Sequence, residues 1–275
     1  MWIDTHCHLD AREFDADRGG VTAAAVAAGV TGIVLPAVAV SNFEAVRGLA
    51  HADPHCVYAL GIHPLCTPGA GQADLDALRQ QVAASIDDPR LVAIGEIGLD
   101  FFVPGLDAAH QTWLYTEQLK IAREFDLPVL LHVRKSQDQV YAQLRRVGVK
   151  QGIAHAFNGS NEQARRYAEH GMKLGFGGNV TFSRAKQIRR LATELPIEAI
   201  VLETDAPDIA PAWLSDDQFG EQHKARNTPG EVAGVARVMA ELRGLGEPEL
   251  AAIMWRNAVA ALPRLAAFAD IMAPR

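Results

Sequence analysis

The chain of 275 residues is predicted to fold as an α/β protein of the (β/α)8 class, a TIM barrel in a single domain spanning 1–275. Three observations predict it. Short apolar runs alternate with longer amphipathic runs from end to end. The length is close to the roughly 250 residues that one such barrel needs. Histidines and carboxylates recur where the short runs stop, the face on which barrel sites assemble.

The short runs are almost continuously apolar, as parallel strands buried on both faces must be. The first covers 2–5 and leads into Asp4-Thr5-His6-Cys7-His8. Residues i and i+2 of an extended segment point to the same side. His6 and His8 can therefore reach one ion together, while Cys7 points the other way and reads as a packing residue. A helix over 20–29 leads to a strand over 32–37, and a helix over 42–51 to a strand over 56–60. Gly61-Ile62-His63-Pro64 follows it. A helix over 73–86, with Asp74 as its expected N-cap, leads to a strand over 91–94, followed by Gly95-Glu96-Ile97-Gly98-Leu99-Asp100.

A helix over 107–125 precedes a strand over 128–132 that ends at His132. A helix over 136–147, opened by Ser136 and stopped by Gly148, precedes a strand over 152–155 that ends at His155. A helix over 161–170, capped by Ser160 or Asn161 and ended by Gly171, precedes a strand over 173–177. A helix over 183–194 precedes the last strand, 199–202, and Glu203-Thr204-Asp205-Ala206-Pro207-Asp208 follows. Two more helices, 229–243 with Pro229 in its first turn and 247–261, complete the pattern.

Composition bounds the function. Apolar residues make up 49% and charged residues 21%, so a large core is available. Lys and Arg number 26 against 33 Asp and Glu, a net charge of −7, which argues against coating nucleic acid with a basic surface. It leaves open a local grip on phosphate through metal ions. Cys7, Cys56 and Cys66 show no CxxC spacing, so a reducing compartment is expected. No charged segment precedes a long apolar one, and no run nears the ~18 apolar residues of a membrane span. A cytoplasmic protein without a membrane or an obligatory protein partner is the expectation.

Four imidazoles and two carboxylates sit at matching strand ends: His6, His8, Glu96, His132, His155 and Asp205. Any one alone is more often structural. Together they predict a metal centre. His6 and His8 share one ion, His132 and His155 share a second, and Glu96 lies between with one oxygen for each. Asp205 closes against the first strand, where it can bind the first ion and accept a proton from water. Two divalent ions against two carboxylates leave a positive site, suited to an anionic, oxygen-rich substrate. His63 divides evenly between a substrate contact and a turn histidine. His51, His55, His110, His170 and His223 read as solvated, as do Arg145-Arg146, Arg165-Arg166 and Arg189-Arg190 on the outer helices. Phe101, Phe102 and Trp213 fall on loops near the mouth, where aromatics stack on bases or pack as lids.

These runs, with Leu131-His132-Val133-Arg134 and His155-Ala156-Phe157-Asn158-Gly159-Ser160, resemble the TatD family of metal-dependent hydrolases from Trp2 to about Leu262. The compact first motif and Asp208 after Ala206-Pro207 are most similar to its YjjV-like branch. The resemblance implies a TIM barrel holding two divalent ions (Zn, Mn or Mg) on His6, His8, Glu96, His132, His155 and Asp205. It implies hydrolysis of DNA at ends or single strands by a metal-activated water, with Asp205 and Glu96 catalytic and His63 and Arg134 as phosphate contacts. Arg226 and Asn227 match the family's Arg-Asn loop and read as a loop anchor. Ala156 and Asn158 depart from the His-Cys/Gly-Phe-Ser-Gly run common in the family, so the metal site carries over more firmly than the substrate. The alternatives are a hydrolase of a small ester, lactone, amide or aminoacyl ester, and a non-enzymatic metal-bearing partner.

Overall fold

Every predicted strand forms, and the strands pair in chain order. The computed structural model describes residues 1–214 and 225–274, so His223 lies outside the described residues. Its strands are β1 (Trp2–Asp4), β2 (Val30–Pro36), β3 (Cys56–Leu60), β4 (Leu91–Asp100), β5 (Val129–Arg134), β6 (Gly152–Ala154), β7 (Met172–Phe176) and β8 (Ile200–Leu202). They form one parallel sheet in the order β1 to β8. Hydrogen bonds then close β8 onto β1. Thr5 N–H donates to Leu202 O (3.1 Å), Asp205 N–H to His6 O (2.9 Å) and His8 N–H to Ala206 O (2.8 Å). The fold is a TIM barrel.

The outer helices are α1 (Arg18–Ala27), α2 (Phe43–Ala52), α3 (Gln72–Ala84), α4 (Ala108–Glu124), α5 (Gln137–Val147), α6 (Asn161–Glu169), α7 (Lys186–Glu194), α8 (Val232–Arg243) and α9 (Glu247–Ala261). One alternating set of strand residues, including Ile33, Leu35, Tyr58, Leu131 and Leu174, packs against them. The other set, including Val34, Val57, Val92, Leu130, Ile153 and Val201, clusters with Leu262, Leu265, Phe268 and Met272. This last segment plugs the floor of the barrel. Thr31 Oγ1 donates to Met272 O at 2.7 Å, and Arg264 Nη1 to Leu91 O at 3.0 Å. With the floor closed, a ligand enters from the opposite, C-terminal face. Among the described residues no helix is long and apolar enough to cross a membrane.

Local starts and stops differ in places. Asp74 is not the N-cap of α3. Gly71 is, and the Asp74 carboxylate accepts Gly71 N–H at 2.9 Å from the first turn. Ser136 occupies the N-cap of α5 without capping it, because its hydroxyl donates to Leu99 O at 2.6 Å. Ser160 does cap α6, through Gln163 N–H. Pro229 opens a 3-10 turn, Pro229–Glu231, ahead of α8. The largest difference is β4, which continues to Asp100. It keeps its bonding to β5 across an irregularity between Ile94 and Ile97.

Candidate metal centre

The irregularity in β4 is what delivers Glu96. Gly95 and Glu96 have no register partner on β5, a bulge that re-aims a side chain. Glycines make the close packing possible. A Cβ on Gly95 would lie 2.5 Å from Leu130 Cβ. Gly98, at φ 151°, lies against the His132 carbonyl, where a Cβ would sit 2.0 Å from the oxygen. Glu96 is 1% exposed and its two oxygens face different groups.

Oε2 lies 3.2 Å from His6 Nε2 and 3.3 Å from His8 Nε2. Those nitrogens are 3.3 Å apart, and Asp205 Oδ1 is 3.6 Å from each. Oε1 lies 2.9 Å from His132 Nδ1 and 2.8 Å from His155 Nε2, which are 3.4 Å from one another. Lone-pair atoms crowded together in this way repel unless cations or protons stand among them. Ligand atoms at 2.0–2.2 Å from a tetrahedral ion are spaced about 3.4 Å apart. The donor types and spacings fit divalent cations, and the sets His6–His8–Glu96 and His6–His155–Asp205 are each close enough to hold one; His63, Glu96 and His132 crowd as closely, but the His63 nitrogen there carries a proton.

Hydrogen bonds outside the cup choose the tautomers of His132 and His63. His132 Nε2 lies 3.0 Å from Asp100 Oδ2, so that nitrogen donates and Nδ1 offers its lone pair inward. His63 is arranged the other way. Its Nδ1 accepts Leu65 N–H at 3.1 Å, capping the turn at Pro64–Gly69. A neutral His63 therefore carries its proton on Nε2, 3.4 Å from Glu96 Oε1. It enters the cup as a donor, and of the two readings left open by the sequence the structure shows the turn histidine. Arg134 stands at the rim, half exposed.

Charges in the cup balance by proton placement. Burial pushes the His6 imidazole down to about 3, and His155, stacked on it at 4.0 Å, adds to the effect. Burial opposes charge on His8 as well, but Glu96, Asp205 and Asp10 outweigh it and raise His8 to about 9. Burial would raise Glu96; the surrounding histidines hold it well below the usual carboxylate range. Asp205 is pushed up, chiefly by burial. It sits in the left-handed region at φ 57°, an uncommon position for a residue other than glycine.

Four supporting residues were not foreseen from the sequence. Asp4, fully buried, accepts His6 N–H, Thr204 N–H and the Thr204 hydroxyl, so it ties the ends of β1 and β8 together. Its position two residues before His6 was a usable signal. Asp100 orients His132. Glu203 accepts Ala156 N–H and stands 3.8 Å behind His155 Nδ1. Gln118 spans Ile62, accepting its N–H and donating to its carbonyl, which steadies the His63 loop. Asn227 is the expected anchor: its Nδ2 donates to Thr204 O and Asp208 O, both at 2.9 Å. Arg226 pairs with Asp17 at the surface.

The remaining histidines are not simply solvated. His51 faces Asp88, His55 faces Asp53, and His110 and His170 face backbone carbonyls. Arg166 pairs with Asp138 and Arg189 donates to Val180 O.

A family model described as TatD related DNase matches residues 3–263. The metal-dependent hydrolase YjjV of Escherichia coli is 38% identical over 257 residues, covering 93% of this chain and 95% of that protein. The crystal structure of YjjV superposes with a TM-score of 0.88 at 35% identity, over 95% of this chain and 98% of that one. The 3'-5' ssDNA/RNA exonuclease TatD of Salmonella typhimurium is 31% identical over 259 residues, covering 93% and 96% of the two chains.

Proposed function

The chain belongs to the TatD family of metal-dependent hydrolases, and from that premise we propose that it is a divalent-metal-dependent phosphodiesterase that hydrolyses DNA at ends or single strands. The observation that carries this reading is the split of Glu96, with one oxygen toward His6 and His8 and the other toward His132 and His155. His6, His8 and Asp205 would hold one cation, His132 and His155 a second, and Glu96 would belong to both. Two such cations, Zn, Mn or Mg, supply Lewis acidity toward phosphate oxygens and bring the pKa of water near neutrality.

The chain's own groups do the rest. Asp205, its side chain 15% exposed, reaches the cleft and accepts the proton of the attacking water. Glu96 holds the two histidine pairs at a fixed separation. His63 Nε2–H donates to a phosphate oxygen, and Arg134 contacts the phosphate from the rim. The cup opens into a cleft of about 1210 Å³, larger than the roughly 300–1,000 Å³ of small-molecule pockets. That size favours a strand over a small ester, and the name of the Salmonella relative points the same way. Unpaired Cys7, Cys56 and Cys66 fit the cytoplasm.

The test is a panel of single- and double-stranded DNA, RNA and small esters across several metals, with chelator and Asp205→Asn controls. Cleavage of DNA that chelator stops and Asp205→Asn reduces about 10²- to 10⁴-fold is expected. Turnover of small esters with no cleavage of any strand would overturn the reading.

A further inference from the structure

Phe102 is an apolar side chain left open at the rim of the cup. It is 55% exposed. Its neighbour Phe101 packs against the hydrophobic core, and Phe102 is not among the residues that do so. Yet the Phe102 loop is held in place. Asp100 Oδ1 accepts Phe102 N–H at 2.8 Å and Val103 N–H at 3.0 Å, while Asp100 Oδ2 takes His132 Nε2 at 3.0 Å. One carboxylate therefore fixes both the ring's backbone and a histidine of the candidate metal centre. The Arg134 guanidinium lies 3.9 Å from the ring centroid, and both residues line the cleft that contains Glu96. Leu65, 47% exposed, lines it from the neighbouring strand end.

We propose that Phe102, backed by Arg134, is a stacking platform for a nucleobase of the strand whose phosphate enters the cup; this rests on the phosphodiesterase reading above. A rigidly mounted aromatic ring beside a cationic group suits a base and its adjoining phosphate together. Every base has a π-face, so the platform tolerates sequence. The guanidinium stacks on the ring by cation–π attraction and still offers donors to phosphate. A base stacks on Phe102 only when one of its faces is free, so the platform takes an unpaired or frayed nucleotide. It supplies a grip that the net charge of −7 does not.

The test measures kcat/KM on single-stranded oligonucleotides carrying an abasic residue at each position near the cleaved bond, for the wild type, Phe102→Ala and Phe102→Trp. In the wild type one abasic position costs about tenfold to a hundredfold. Phe102→Ala loses the same factor on the intact strand, mainly through KM, and no longer responds to that abasic position. Phe102→Trp keeps wild-type behaviour. Equal abasic losses in the wild type and Phe102→Ala, or full activity of Phe102→Ala on the intact strand, overturn the platform alone. A wild type that cuts no strand overturns the phosphodiesterase reading and the platform with it.

Discussion

At the scale of the residue, the cup depends on which nitrogen of each imidazole carries its proton. A histidine in sequence does not reveal this; its neighbours in space do. Asp100 holds His132 with Nδ1 free, and Leu65 N–H holds His63 with Nε2 protonated. Asp100→Asn tests the first case. The amide oxygen can still accept Phe102 N–H and Val103 N–H, but its NH₂ would face Nε2 and drive the His132 proton to Nδ1. Metal affinity measured by calorimetry is expected to fall about tenfold to a hundredfold, with little change in the Tm of the chelated protein. Unchanged affinity would mean that His132 does not bind through Nδ1. The ligand types were legible because His-x-His and isolated strand-end histidines are visible in one dimension. Asp100 and Glu203 were not, because their work lies in contacts with residues distant in the chain or in hydrogen bonds to backbone; Asp4 was signalled only by its position two residues before His6.

At the scale of the element, strand placement was the most legible feature. Residues buried on both faces leave an apolar run that hardly varies, and β3 matches its predicted bounds. β4 was read too short because Gly95, Glu96 and Gly98 interrupt the apolar pattern while the backbone pairing continues to Asp100. Gly98→Ala tests that account. With a Cβ aimed at the His132 carbonyl and φ at 151°, Tm should fall by many degrees, corresponding to about 3 kcal/mol or more. A wild-type melting curve would refute the close approach.

Asp88 offers a pH test remote from the cup. Burial would raise its pKa, but Arg90 N–H, His51 and Tyr58 outweigh burial and lower it. A depressed carboxylate stabilises the fold above its unfolded value of about 3.9 and loses that contribution as pH falls through the folded value. Asp88→Asn should therefore melt below the wild type at pH 7, and the gap should close in acid beneath pH ~4. A gap independent of pH would remove the charge from the explanation.

At the scale of the whole molecule, the barrel gathers six side chains from five strand ends and leaves one open face. The closed floor was invisible in the sequence, since Leu262, Leu265, Phe268 and Met272 lie beyond the last predicted helix and meet Val34 and Leu130 only in the fold. The cup was legible both as a set of donors and in its division about Glu96; the bulge in β4 that positions Glu96 was not. Anomalous diffraction from crystals grown with Mn²⁺ measures that division directly. The account predicts two peaks flanking Glu96, one beside His6 and His8 and one beside His132 and His155. A lone ion that makes no bond to Glu96, or no ion in the cup, would contradict it.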